Sequence, residues 1–283
     1  MKVLSWNIQW GRGADGEVNL ARTISAIRML GDFDVLCLQE VAVGFAGLQG
    51  PAPQDQVAVL AAAFPGYSAH FAAGVDVPDE VGGRNLFGNL TLSRLPVGQV
   101  LRHSLPRPLD AGVPSMQRVC LELVISGPAG PVRVLNTHLE YYSELQRTAQ
   151  IDALRGLQAG VREVVESAEA GDDREDDSPF RSWPRPLSAI VCGDFNCEPG
   201  SQAYYHMTLA GEAGPEWADA WPACYGEIPH LSTVGLNGAE WPDRPYCCDF
   251  FFVSVDLVDK VDAVAVNQAT AASDHQPVML TVF

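Results

Sequence analysis

Residues 187–196 read LSAIVCGDFN, an apolar run that turns polar at its last few positions. The apolar part has the length and composition of a buried strand. Gly193 gives the backbone freedom just before the polar end. Alternation along an extended chain then places Asp194 and Asn196 on one face. The same grammar recurs along the chain: KVLSWN at 2–7, VLCLQE at 35–40 and VLNTH at 134–138. Strand interiors pack and strand ends meet solvent, so the polar ends WN, QE, NTH and GDFN are expected to converge at one edge of the sheets.

Working outward, Leu20, Ile24, Ile27 and Leu30 recur at helical spacing, with Gly31 as a stop. Residues 54–64 predict a second helix, ending at Pro65-Gly66. Residues 87–94 and 97–103 predict a strand pair around Leu95-Pro96, and 116–125 with 132–138 another, joined by the turn-rich SGPAGP. A long helix is expected over 143–166. The charged, Pro-rich stretch GDDREDDSPFRSWPRP (171–186) is too polar for core and reads as an exposed loop inserted within one domain spanning 1–283. Residues 201–210 read as helix, 211–246 as long loops, and 249–254, 258–267 and 277–283 as the last strands.

Hydrophobic residues make up 47% of the 283 positions, enough for a substantial core. Lys and Arg total 18 against 35 Asp and Glu, a formal charge of −17, so long duplex DNA is a poor first partner. An acidic chain does suit a site where carboxylates converge on one cation. The chain enters a strand directly, without a charged leader and apolar stretch, and no run reaches the roughly 18 apolar residues of a membrane span. A cytoplasmic location is expected. Seven Cys without zinc-ribbon or finger spacing read as reduced thiols that mostly pack the core.

Several polar groups sit at the edges of apolar runs: Asn7, Glu40, His138, Asp194, Asn196, Asp249, Asp274 and His275. A carboxylate closing a buried strand, as Glu40 does, is costly unless paired or bound to a cation. In SDHQP (273–277), Asp274 beside His275 suits a metal ligand next to a proton-transfer group. Arg118 and Arg84 are candidate phosphate contacts, because Arg clamps phosphate bidentately. Trp217, Trp221, Tyr225 and Trp241 fall in the long loops, where rings hold loops together or stack on a base or lipid group.

WN, LQE, NTHL, GDFN and SDHQP in this order resemble the endonuclease/exonuclease/phosphatase superfamily, from Asn7 to His275. That superfamily includes pancreatic-type deoxyribonucleases, abasic-site endonucleases, neutral sphingomyelinases, inositol-polyphosphate phosphatases, deadenylases and tyrosyl-DNA phosphodiesterases. The resemblance implies a four-layer α/β sandwich, two mainly antiparallel sheets packed face to face with helices outside. It implies Glu40 as main ligand of Mg²⁺ (or Mn²⁺), with Asn7 and Asp274 beside it. Asp194 and Asn196 match the pair that orients the attacking water and contacts phosphate. His275 matches the catalytic His, Asp249 the Asp that orients it, and His138 a second His of the nuclease and phosphodiesterase branches. Asn89 in FGNLTLSR sits where the family often has a polar or small group before an LS pair, a weak candidate beside Arg118 for the substrate phosphate. Phe250 departs from the polar residue that often follows Asp249.

The expected activity is a metal-dependent phosphoesterase, acting on phosphodiesters of a nucleotide, a small molecule or a lipid headgroup. THLE followed by Arg147 and Gln150 is similar to the phosphodiesterase branches. The alternatives are a DNA-acting nuclease of the same superfamily and a binding protein that keeps the fold without catalysis.

Overall fold

In the computed structural model, the described residues are 1–50, 52–80, 82–167, 179, 181, 183–211 and 214–282. The chain runs β1 (Lys2–Asn7), α1 (Leu20–Leu30), β2 (Val35–Val43), α2 (Ala46–Gln49), α3 (Gln56–Ala63), β3 (Ser68–Pro78), β4 (Arg84–Ser93), β5 (Val97–Ser104), β6 (Val119–Gly127) and β7 (Gly130–His138). It continues through α4 (Glu144–Ser167), β8 (Ala189–Asp194), α5 (Gln202–Thr208), a small hairpin β9 (Ala210–Gly211) and β10 (Gly214–Pro215), β11 (Ala218–Asp219), α6 (Ala220–Tyr225), β12 (Asp249–Val253), β13 (Val261–Val266) and β14 (Val278–Val282). One six-stranded sheet has the order β13-β14-β1-β2-β4-β3, the other β11-β12-β8-β7-β6-β5. Within each, one central pair is parallel, β1 with β2 and β7 with β8, and every other pairing is antiparallel.

The apolar runs are continuous because both faces of the central strands are covered. On β1 and β2, Val3, Val35 and Cys37 face the other sheet, where they meet Leu121, Leu123, Val134, Ile190 and Phe251. Their neighbours Leu4, Trp6, Leu36 and Leu38 point outward, under Ile24 and Ile27 of α1 and Leu60 of α3. On the second sheet, Leu135, Val191, Phe250 and Phe252 pack under Ile151 and Leu154 of α4 and Met207 of α5. Three apolar cores between four layers make the α/β sandwich. Asn19 caps α1, its side chain accepting from Arg22 N at 3.1 Å, and Gly31 ends it with a φ of +134°.

The inter-sheet core is not wholly apolar. Gln39 Nε2 donates to Asn136 Oδ1 at 2.8 Å, and Asn136 Nδ2 donates to Leu90 O at 3.0 Å and Thr91 Oγ1 at 3.2 Å. These amides cross from one sheet to the other beneath the strand ends. The Asn136 amide and the Gln39 N–H group find partners within the core, while Gln39 Oε1 has none.

The expected elements appear with small shifts. The predicted strand at 258–267 splits into a 3-10 turn over Val255–Lys260 and β13. The loops predicted over 211–246 contain α6, with Trp221 in the core. β3 was not anticipated: SAHFAAGVDVP is half-exposed along an edge and carries a register slip between Ala73 and Val75, so its alternation is blurred. Of the predicted loop at 171–186, residues 171–178, 180 and 182 lie outside the described residues. Trp183 is exposed, and Arg185 donates to Glu122 Oε1 and Oε2 at 3.0 and 2.8 Å. All seven cysteines are free thiols, and all but Cys224 are buried. Among the described residues, no helix is long and apolar enough to cross a membrane.

Candidate active site

Both parallel pairs end at one pocket. Asn7 pairs in register with Gln39, and His138 with Asp194. The pocket measures about 410 Å³ and is lined by Gln9, Trp10, Glu40, Arg118, His138, Tyr141, Tyr142, Asp194, Asn196, Trp241, Asp274 and His275.

Local backbone chemistry aims these groups. The pairing of β2 with β4 slips between Leu38 and Val41, and Glu40 within that bulge has a φ of +58°. A bulge re-aims a side chain that regular pleating would send elsewhere. Asn196 follows β8 at a φ of +49°, and Gln9 and Trp10 follow β1 at +43° and +44°. Asn237 is the one other non-glycine in this region among the described residues, and it does not line the pocket. Left-handed backbone costs roughly 1–2 kcal/mol per non-glycine residue, and such strain gathers at functional sites. Gly193 answers a different need. It sits at φ +141°, and a Cβ there would stand 1.8 Å from Thr137 O, so β8 can approach β7 only with glycine.

Asn7 is the hub. Its Nδ2 donates to Glu40 Oε1 at 3.2 Å and Asp194 Oδ2 at 3.1 Å, and stands 3.5 Å from His275 Nε2. His275 Nδ1 meets Asp249 Oδ2 at 2.9 Å, and Thr233 Oγ1 donates to the same oxygen at 2.6 Å. His275 Nε2 therefore faces Asp194 Oδ2, 3.6 Å away. His138 Nε2 lies 3.3 Å from Asp194 Oδ2 and 3.1 Å from Asn196 Nδ2. Asn196 N donates to Asp194 Oδ1 at 2.9 Å. Gln9 Nε2 donates to Asp274 Oδ2 at 2.7 Å.

The electrostatics separate the two histidines. Burial would lower His275, but Asp249 and Asp194 outweigh it and hold its pKa well above the ordinary value. His138 is pushed down to about 3 by burial and by the Arg118 cation, which outweigh Asp194. Glu40 is pushed up to about 7, by burial first and by Asp274 second. Burial likewise raises Asp274. Glu40 is thus a largely buried carboxylate whose near neighbours include another carboxylate, Asp274, and the His138 ring, with Nδ1 3.8 Å away and uncharged at neutral pH.

Asn7, Glu40, His138, Asp194, Asn196, Asp274 and His275 come together here, with Asp249 directly behind His275. Arg118 lines the same pocket, and its Nε donates to Glu140 Oε2 at 3.2 Å. Asn89 does not line it: its amide donates to Val119 O at 2.9 Å and Asn136 O at 3.3 Å, tying β4 to the other sheet. Arg84 is exposed and pairs with Asp76. Trp217 is buried against α4, donating to Leu154 O. Gln9, Trp10, Tyr141 and Tyr142 were not anticipated; each directly follows a motif, WN or NTHLE, which is the signal that points to them.

Residues 4–275 match the model of the Endonuclease/Exonuclease/phosphatase family. The chain belongs to that family. Its fold is similar to an endonuclease/exonuclease/phosphatase from Beutenbergia cavernae DSM 12333, at 24% identity and TM-score 0.63, covering 99% of this chain and 70% of that one. It is similar to the mannosyl-6-phosphatase Bt3783 of Bacteroides thetaiotaomicron VPI-5482, at 18% identity and TM-score 0.64, covering 100% and 99%. Truncated TDP2 of Caenorhabditis elegans is similar at 20% identity and TM-score 0.61, covering 100% and 96%. No curated protein matches the chain.

Proposed function

We propose that this family member is a Mg²⁺- or Mn²⁺-dependent hydrolase of phosphate esters, acting on phosphodiesters. The observation that carries the proposal is the convergence of Glu40, Asp194, Asp274, His138 and His275 in one open pocket.

The donor set fits a hard cation. Glu40 and Asp274 offer carboxylate oxygens to one pocket, where burial and the nearness of Asp274 raise Glu40 to about 7, while the Asn7 amide oxygen is taken by Gln9 N at 3.0 Å. Asp194, Cys248 and His275 also bring ligand atoms within 4.8 Å of one another. Burial pushes the Cys248 thiol well up, so that set offers a protonated sulfur, poorly matched to Mg²⁺. Glu40 with Asp274 is therefore assigned the ion, and Asn7, expected beside them as a ligand, instead braces Glu40 through its amide N–H. When bound, the ion neutralises charge on the phosphate and stabilises the leaving oxygen.

The protein groups do the rest. Asp249 holds Nδ1 of the His275 ring, so its other nitrogen is turned toward Asp194. Asp194 is the group placed to take the proton of the attacking water, and His275, kept protonated by Asp249 and Asp194, steadies that carboxylate from 3.6 Å. Asn196, placed beside His138, donates to a phosphate oxygen, and His138 adds a second imidazole there. Arg118 supplies a nearby cation. A diester suits this balance: it carries less negative charge than a monoester into a pocket with three carboxylates and one Arg. The same balance disfavours long DNA, which needs a track of Lys and Arg.

A panel of phosphomonoesters, phosphodiesters, nucleotides, lipids and DNA assayed with Mg²⁺ or Mn²⁺ tests the proposal. Turnover abolished by EDTA is expected. Full metal-stimulated turnover by Glu40→Ala would overturn the ligand assignment.

A further inference from the structure

Opposite the carboxylates, the pocket wall is aromatic. Tyr141 and Tyr142 follow the NTHLE motif, and Trp241 arrives from the loop before β12, far along the chain. Tyr141 packs edge-on against Trp241, ring centres 5.3 Å apart and planes at 87°, and against Tyr142 at 4.7 Å and 79°. Tyr142 is 63% exposed and Tyr141 39%. Large rings left in water beside a catalytic pocket are an unspent contact surface.

The backbone carrying these rings is braced. Glu140, nearly fully buried, takes Tyr142 N on Oε1 at 3.0 Å and Arg118 Nε on Oε2 at 3.2 Å. Its own N donates to Gln150 Oε1 at 2.8 Å. Arg147 Nη1 donates to the carbonyls of Glu140 and Tyr141 at 2.8 and 2.9 Å. The THLE, Arg147 and Gln150 pattern thus has a structural purpose: it fixes a two-tyrosine turn at the pocket mouth. Exposed rings on a fixed backbone cost little entropy when a ligand packs on them.

We infer that Tyr141, Tyr142 and Trp241 form a stacking subsite, and that this pocket selects phosphate esters carrying a planar unsaturated ring, a nucleobase or an aryl group. The inference rests on the proposed hydrolase site, which puts the phosphate among the carboxylates and leaves the organic group facing the rings. An alkyl chain gains area burial there but no π contact. A saturated sugar presents C–H groups to these rings but no π face of its own, so it gains less there. A polyanion finds one Arg among the described residues lining the pocket, Arg118, already paired with Glu140.

The test uses the full chain with Mg²⁺ and matched ligands: thymidine 5′-monophosphate against 2-deoxyribose 5-phosphate, phenyl phosphate against methyl phosphate, and mannose 6-phosphate. Each is measured by calorimetry and as an inhibitor of bis(4-nitrophenyl) phosphate turnover. The ring-bearing member of at least one pair is expected to bind about tenfold tighter than its ringless partner. The two pairs tell nucleobase from aryl preference. Trp241→Leu and Tyr142→Ala should bring that ratio toward one, Tyr142→Phe should restore it, and Tyr205→Ala, an exposed tyrosine outside the pocket, should leave it intact. A ratio near one in the unaltered protein, or mannose 6-phosphate binding as tightly as the ring-bearing ligands, overturns the inference. The two proposals fail separately: a ring preference in calorimetry without any turnover removes the hydrolase and keeps the subsite, whereas turnover without ring preference does the reverse.

Discussion

The two parallel strand pairs are built alike and finish differently. β1 and β2 are joined through α1, β7 and β8 through α4, and each pair is flanked by antiparallel strands. Ligands in open α/β sheets gather outside the carboxyl ends of such strands, and here two sets of ends meet at one pocket. The first pair finishes with a slipped register and a strained Glu40, delivering oxygen donors. The second finishes with a backbone approach that only Gly193 permits, delivering His138, Asp194 and Asn196. On the proposed function, the first pair holds the cation and the second handles proton and phosphate. One motif repeated in two sheets thus takes two roles, set by how each strand ends.

The sharpest way to break that division is to remove one group from each side. Asp194→Asn and His275→Ala should each lower kcat about 10³-fold or more, with no recovery as Mg²⁺ or Mn²⁺ is raised. Glu40→Ala should lose about 10²–10³-fold at low metal and recover part of it at high metal. Titration of activity against metal concentration checks both, and equal rescue of both sides would erase the distinction.

The two strand endings should also differ in fragility. Gly193→Ala forces a Cβ against Thr137 O and should cost about 4 kcal/mol or more by denaturant unfolding. Glu40→Ala should cost less, because it removes a buried carboxylate that burial disfavours. The second sheet has a further dependence on its outer face. Glu122 and Arg133 are wholly buried and 3.4 Å apart, with His103 and Arg185 also on Glu122. Burial would raise Glu122, but His103, Arg185 and Arg133 hold it at about 2, below its ordinary 4.5. Because the folded value is depressed, its stabilisation is complete above about pH 4.5 and fades as pH falls toward 2. Glu122→Gln should lose about 3 kcal/mol at pH 7 and flatten this acid limb. The smallest expected effect is at Asn89: Asn89→Ala should cost about 1 kcal/mol and leave KM unchanged, since its amide bonds backbone between the sheets.

The strand ends were legible in the sequence because burial on both faces leaves polar residues nowhere else to go. That is why WN, QE, NTH, GDFN and SDH could be read as one site. β3 was not legible, since an edge strand with a register slip keeps no clean period. Gln39 and Asn136, expected at the edge with the other strand ends, lie between the sheets, because an amide linking two sheets looks the same in sequence as one facing solvent. Tyr141 and Tyr142 escaped for a related reason: stacking has no spacing rule, and only the folded turn brings them to Trp241.

One pairing has a consequence for how the protein is made. β1 lies between β2 and β14, so its second edge is closed by residues almost at the far end of the sequence. A ribosome delivers Asn7 268 residues before His275. Until then the first strand presents an open edge to other nascent chains, the usual seed of aggregation. On the proposed function, the site is complete only once His275 has been made, and chaperone depletion should hurt this chain's yield more than its finished stability suggests.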